Sequence, residues 1–230
     1  MFGNSWKSFS NEPTANLLIS QLNVERLAGT HQRGKTITLK YLIIMSEFTG
    51  DLLESLDLQL LETDVKTMLD SEKHLKEVLN EILNWLEYKS RNDILTSILL
   101  YNNETTQLFD GAAPSLPERY SKAISGNKAG PAAGSCGTAA FTRKQVIVED
   151  IATDPLWKDY KSYALVEGLR SCWSTPIFNS HEELLGTFAL YYTEARKPTE
   201  HDLELIEEIV EVTESAIEAR KDDFKKMVGL

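Results

Sequence analysis

Four glycines fall within twelve residues of this chain, at Gly126, Gly130, Gly134 and Gly137. A run this dense lets the backbone bend tightly and come close to another group, either a ligand or a neighbouring helix. The loop leads into a short Ala-rich stretch and then a compact strand, Gln145–Glu149. An acidic turn from Asp150 to Asp154 follows, then an aromatic-bearing helix, then a second strand, Ser171–Phe178. The rest of the chain is organised around this stretch.

The flanks are read from their periodicity. From Asp64 to Lys89 the apolar residues Val65, Met68, Leu69, Leu75, Val78, Leu79, Ile82, Leu83 and Leu86 recur at helical steps, which predicts one long amphipathic helix. The period then changes. Asp93–Tyr101 and Thr105–Phe109 read as strands around the turn Asn102-Asn103-Glu104. Pro117 opens a short helix running to Ile124. Asp154-Pro155 is a cap followed by a first-turn proline, so a helix is expected from there to Gly168. Ser171–Phe178 and Leu184–Thr193 form a second hairpin around Asn179–Glu183. Thr199 caps a last helix, with Asp202 three residues on as a short-armed capping box. Its apolar residues run through Leu203, Ile206, Val210, Ile217 and Phe224, which predicts one helix over 199–228. Adjacent hairpins imply a mainly antiparallel sheet with helices on its faces, an α+β arrangement.

The totals bound function more than fold. With 24 Lys and Arg against 35 Asp and Glu, the net charge is −11. That argues against non-specific nucleic-acid binding, which needs clustered basic residues. The first fifty residues differ, with five basic and three acidic residues. Within them, 15–28 reads as a short helix and 36–46 as an undecided apolar run. Two cysteines exclude a disulfide scaffold. There is no long apolar run for a membrane helix and no signal-peptide pattern, so a cytoplasmic protein with reduced thiols and no membrane partner is expected.

The segments GAAPSLPERY (111–120), GSCGTAAF (134–141), VEDIATDPLW (148–157), GLRSCWSTPI (168–177) and LLGTFALYY (184–192) resemble the GAF domains of bacterial sensor kinases and related signalling proteins. The resemblance spans roughly Leu69 to Arg220. It implies a six-stranded, mainly antiparallel sheet and a ligand cavity between the sheet and inserted loops. It also implies long N- and C-terminal helices that pack together and often dimerise. The organisation expected is an N-terminal segment of unclear structure at 1–62, a GAF domain at 63–198, and a C-terminal helix at 199–230 that completes the domain and extends as a signalling helix. The function implied is regulatory sensing of a small polar or anionic molecule without catalysis. Partners would be a second copy of the chain through the terminal helices, and a histidine kinase or other output domain.

Within that resemblance, Ser135, Cys136, Gly137, Trp157, Tyr160 and Trp173 are the expected ligand-binding residues. Cys136 is the sharpest of them, since a helix N-terminus beneath it would favour an anion or lower the thiol pKa. The alternative is a small thiol packed under a glycine loop. Free-methionine-(R)-sulfoxide reductases of the family carry a redox cysteine in the same G-x-C-G-x-A-A segment. They place a second, catalytic cysteine where this chain has Trp157-Lys158-Asp159-Tyr160, so the catalytic thiol is missing here and a reductase working through Cys136 stands only as the enzyme alternative. A ligand-free dimerisation or docking module is the other. Bilin attachment is not expected, because Cys172 is followed by Trp173 and Cys136 by Gly137. Phosphate-binding glycine motifs are absent. His31, His74, His181 and His201 lack metal-ligand spacing, so no metal and no cofactor is expected.

Overall fold

The computed structural model describes residues 57–230 apart from Arg91 and Asn92. The expectations for 15–28, for 36–46 and for most of the 1–62 segment lie outside the described residues. From Asp57 onward the chain forms one compact unit.

The expected N-terminal helix is two helices. The first, α1, occupies residues 57–70, and α2 is Leu75–Lys89. Between them Glu72 takes a left-handed backbone, φ 57°. His74 then caps α2 in a capping box with Glu77. The apolar stripe does not mark this break, since Met68 to Leu75 is a seven-residue step that stays on one helix face. The last helix is also divided, into α6 (Glu200–Ala219) and α7 (Lys221–Val228), with Arg220 at φ −125°. The seven-residue step from Ile217 to Phe224 likewise gives no sign of a break. The Thr199–Asp202 capping box forms as expected: the Thr199 hydroxyl accepts from the Asp202 N–H, and the Asp202 carboxylate accepts from the Thr199 N–H.

The sheet has six strands, all paired antiparallel: β1 (Leu95–Asn102), β2 (Gln107–Ala112), β3 (Asn127–Lys128), β4 (Val146–Val148), β5 (Ser171–Phe178) and β6 (Leu184–Tyr192). Their order across the sheet is β3-β2-β1-β6-β5-β4. The two hairpins read from the sequence lie side by side, joined where β1 pairs with β6. Gly111 is an extra residue in β2, because Ile98 faces Ala112 while Leu99 faces Asp110. A Cβ there would lie 2.9 Å from the Ile98 carbonyl oxygen, so the bulge requires glycine.

Strand alternation divides the core into two layers. Ile98, Leu100, Trp173, Phe188 and Leu190 face one way and pack with α1, α2, α6 and α7. Leu99, Cys172, Ala189 and Tyr191 face the other way. That second face is covered by α3 (Glu118–Ile124), α4 (Gly134–Thr142), a 3-10 turn (Pro155–Trp157) and α5 (Lys161–Val166). The single helix expected after Asp154 is thus a 3-10 turn and a short α-helix. Asp154 still caps it, its carboxylate accepting from the Leu156 N–H at 2.8 Å. Among the described residues, no helix is long and apolar enough to cross a membrane.

Candidate functional site

The glycine loop ends in α4, whose first turn is Gly134-Ser135-Cys136-Gly137. Gly134 has φ 63°, a conformation that glycine adopts at little cost. Gly137 lies so close to Ala133 that a Cβ would sit 2.6 Å from that residue's own Cβ. These two glycines let the chain turn sharply and lay the helix start against the sheet. The first N–H groups of a helix have no carbonyl one turn back to bond, so this turn presents donors and a positive dipole end.

Beside that turn is a cavity of about 450 Å³. Its walls come from the sheet (Leu99, Leu108, Tyr191), from α3 (Tyr120, Ile124), from the first turn of α4, and from Trp157, Tyr160 and Tyr163. Lys128 and Asp159 also line it, both exposed to solvent. The site is an aromatic-walled hollow that also carries polar groups, among them Asn127, Lys128 and Asp159, a mixture suited to a small polar molecule.

Ser135 is buried and fully engaged. Its hydroxyl donates to the Cys172 carbonyl at 2.9 Å and accepts from the Trp157 indole N–H at 3.1 Å. It pins Trp157 and α4 to β5, and so builds the wall. Tyr120 and Tyr191 pack edge to face, with ring centroids 5.9 Å apart. Burial pushes both phenols well above their ordinary pKa, so each keeps its O–H. The Tyr191 hydroxyl lies 3.4 Å from Ser97 Oγ and 3.8 Å from Cys136 Sγ. Hydrogen bonding from Cys172 leads the set of contacts that bring the Cys136 thiol down to about 7, against the opposing effect of burial. Cys172 is pushed up, first by its own burial and then by its bond to Cys136.

Of the six residues expected to bind ligand, Ser135, Cys136, Gly137, Trp157 and Tyr160 line this cavity. Trp173 does not. It faces the helical layer on the far side of the sheet, packed against Tyr192 with centroids 4.8 Å apart. The reason is the period of a strand: Cys172 and Trp173 are neighbours, so they point to opposite faces. Tyr120 and Tyr191 were not anticipated. Both stand in segments that carry the family resemblance, but Tyr191-Tyr192 is an adjacent pair, and only the strand register says which of the two faces the hollow. No group of three His, Cys, Asp or Glu able to hold a metal occurs among the described residues. His74 caps α2, and the His181 N–H donates to Asn179 Oδ1 in the β5–β6 turn.

A protein-family model described as a GAF domain matches residues 72–218. A methyl sulfide methyltransferase-associated sensor from Methanosarcina acetivorans is 40% identical over 153 residues, 66% of this chain and 15% of that protein. The chain therefore spans a small part of that relative's length. Two solved structures share the fold. The free methionine-R-sulfoxide reductase of Neisseria meningitidis, in complex with its substrate, has a TM-score of 0.58 at 18% identity, covering 72% of this chain and 88% of that one. The GAF domain of a phosphoenolpyruvate-protein phosphotransferase from Coxiella burnetii has a TM-score of 0.56 at 15% identity, covering 73% of this chain and 96% of that one. The match of the family model over more than half of the sequence, on a fold of this topology, makes this chain a member of the GAF domain family.

Proposed function

We propose that this chain is a regulatory sensing domain whose cavity takes a small polar or anionic molecule and whose terminal helices carry the response. The observation that supports it most directly is the cavity itself, aromatic on its sides and floored by the first turn of α4. A helix start favours negative charge, and Lys128 at the rim adds to it. The Methanosarcina acetivorans relative, named as a sensor, agrees with this reading.

The route outward is short. Cys172 on the cavity face and Trp173 on the helix face are consecutive residues of β5. A shift of that strand on binding reaches the packing of α2 and α6 directly. Binding drives such a change only in so far as the ligand prefers one helix arrangement over another. The output would be a second copy of the chain, or a kinase or other output domain.

A thermal-shift panel of small anions and polar metabolites on the full chain tests the reading. A ligand at a hundred times its Kd should stabilise by about 2.7 kcal/mol. If no member of the panel raises the melting temperature, the sensing reading fails. A second reading, reduction of free methionine-R-sulfoxide, rests on the lowered pKa of the Cys136 thiol at the cavity wall. Turnover that Cys136→Ser abolishes would support it, and absence of turnover would remove it.

A further inference from the structure

Behind the cavity wall lies a buried polar cluster that sensing of a reversibly bound ligand leaves unexplained. Ser174 and Thr187 have no exposed surface, and their hydroxyls meet no hydrogen-bond partner among the described residues. Orphaned hydroxyls at such depth are costly, so what they face is informative. Both are among the neighbours that bring the Cys136 thiol down. The Tyr191 hydroxyl, kept protonated by burial, lies 3.8 Å from the same sulfur. The fourth neighbour is the thiol of Cys172, fully buried in the same core cluster as Cys136 and the leading influence on it. Three hydroxyls and a thiol therefore act on one sulfur atom, with the Tyr191 hydroxyl in contact with it. Donors arranged in this way stabilise a thiolate, which is the reactive form of cysteine.

The two sulfurs differ in access. Cys136 lines the cavity, whereas Cys172 is not among the lining residues. A small reagent in the hollow meets Cys136 first and reaches Cys172 only through it.

We propose that Cys136 and Cys172 form a peroxide-responsive dithiol, with Cys136 as the attacking sulfur and Cys172 as the resolving one. The Cys136 thiolate attacks one oxygen of a small hydroperoxide. The S–O bond forms, the O–O bond breaks, and the leaving alkoxide or hydroxide takes up the proton that Cys136 released. This gives a sulfenic acid at Cys136. The Cys172 sulfur then attacks Cys136 Sγ. The S–S bond forms, the S–O bond breaks, and the departing hydroxide leaves as water with the Cys172 proton. In sum, two thiols and one hydroperoxide give one disulfide, one alcohol or water, and one further water. The new bond would tie α4 to β5, the strand whose other face carries Trp173 against the helical layer. The proposal does not rest on the sensing reading: a melting shift with a reversible ligand tests that one, and a covalent mass change tests this one.

The experiment treats the full chain with one equivalent of hydrogen peroxide at neutral pH. Intact mass and peptide mapping then follow the thiols. The expected product is an intramolecular Cys136–Cys172 disulfide, with the mass of two hydrogens lost and recovered on reduction. Cys136 should react before Cys172, because of the two only Cys136 lines the cavity. Cys172→Ser should stop at the sulfenic acid, trapped as a dimedone adduct on Cys136, and Cys136→Ser should leave Cys172 unoxidised. Differential alkylation of the two thiols in the unaltered chain needs no variant, and it should label Cys136 first. A disulfide between chains only, a Cys172 that labels first, or thiols that survive peroxide unchanged would each overturn the proposal.

Discussion

The carboxylate of Asp223 accepts a hydrogen bond from the backbone N–H of Leu75 at 3.1 Å, across almost the whole described chain. Leu75 is the first residue of α2 and Asp223 lies in the first turn of α7. The Asp223 carboxylate also meets His74 Nδ1 at 3.2 Å. Three residues earlier, the Arg220 guanidinium donates to the carbonyls of Leu69 and Lys73. The break in the C-terminal helix thus caps both sides of the break in the N-terminal one. Side chains of one interruption satisfy the backbone end groups of the other, which ties the two breaks together.

Asp223→Ala should cost about 1 kcal/mol, the usual loss when a helix start loses its acceptor. The effect has a definite pH dependence. The Leu75 N–H, with help from His74, holds the Asp223 carboxyl below the usual range. A carboxyl depressed in the folded state stabilises fully above its unfolded pKa of about 4, and progressively less as pH falls through the folded value. The gap between parent and Asp223→Asn in urea unfolding should be constant near neutrality and close below about pH 4. A gap that does not change with pH would mean that the charge plays no part.

The same pair of breaks shows how far the sequence is legible. The hairpins, the Thr199 capping box and the antiparallel sheet follow from period and punctuation, because those signals are local. Neither the break at Ser71–His74 nor the one at Arg220 leaves a mark in the apolar stripe, since the contacts that hold them, Arg220 to Leu69 and Lys73, join positions about 150 apart in the chain. The same holds for the site. Gly134, Cys136 and Trp157 could be placed from the glycine run and the Asp154-Pro155 cap. Tyr120 and Tyr191 reach the hollow only because α3 and β6 meet in space, and β3, two residues long, has no periodicity to read.

Ser135 is the joint between cavity and sheet. Ser135→Ala removes the acceptor of the buried Trp157 indole and a donor to the Cys172 carbonyl together. Each stranded group costs roughly 1–3 kcal/mol. Chemical denaturation should show a loss in that range, and Trp157 fluorescence should shift as the ring loosens. Ser135→Thr keeps the hydroxyl and should recover the emission.

Gly186 is fixed by the crossing of the two central strands. A Cβ at this position would overlap the Leu99 carbonyl oxygen, which is backbone and cannot swing aside. Gly186→Ala should destabilise by about 1–3 kcal/mol or more through overpacking. Gly126 makes a control, since a Cβ there meets nothing and the only penalty is its positive φ of 84°. Gly126→Ala should cost about 1 kcal/mol. Melting curves that place the two variants level would show that the β1–β6 crossing can yield.

Trp173 and Tyr160 separate packing from recognition. Trp173 is buried on the helical side, where Arg196 stacks over it and over Tyr192 at 5.5 and 4.2 Å from the ring centroids. Tyr160 is part-exposed at the cavity wall. Trp173→Ala should cost about 3–5 kcal/mol of stability, the range for emptying a buried aromatic. Tyr160→Ala should cost under about 1 kcal/mol. For any molecule that raises the melting temperature of the parent chain, Tyr160→Ala should weaken binding at least roughly tenfold, a loss of about 1.4 kcal/mol. Trp173→Phe, which keeps an aromatic ring in the helical layer, should leave that affinity within about threefold. Calorimetry on the two folded variants decides it: if Trp173→Phe loses the ligand and Tyr160→Ala keeps it, recognition lies on the helical face of the sheet and the cavity beside α4 is not the binding site.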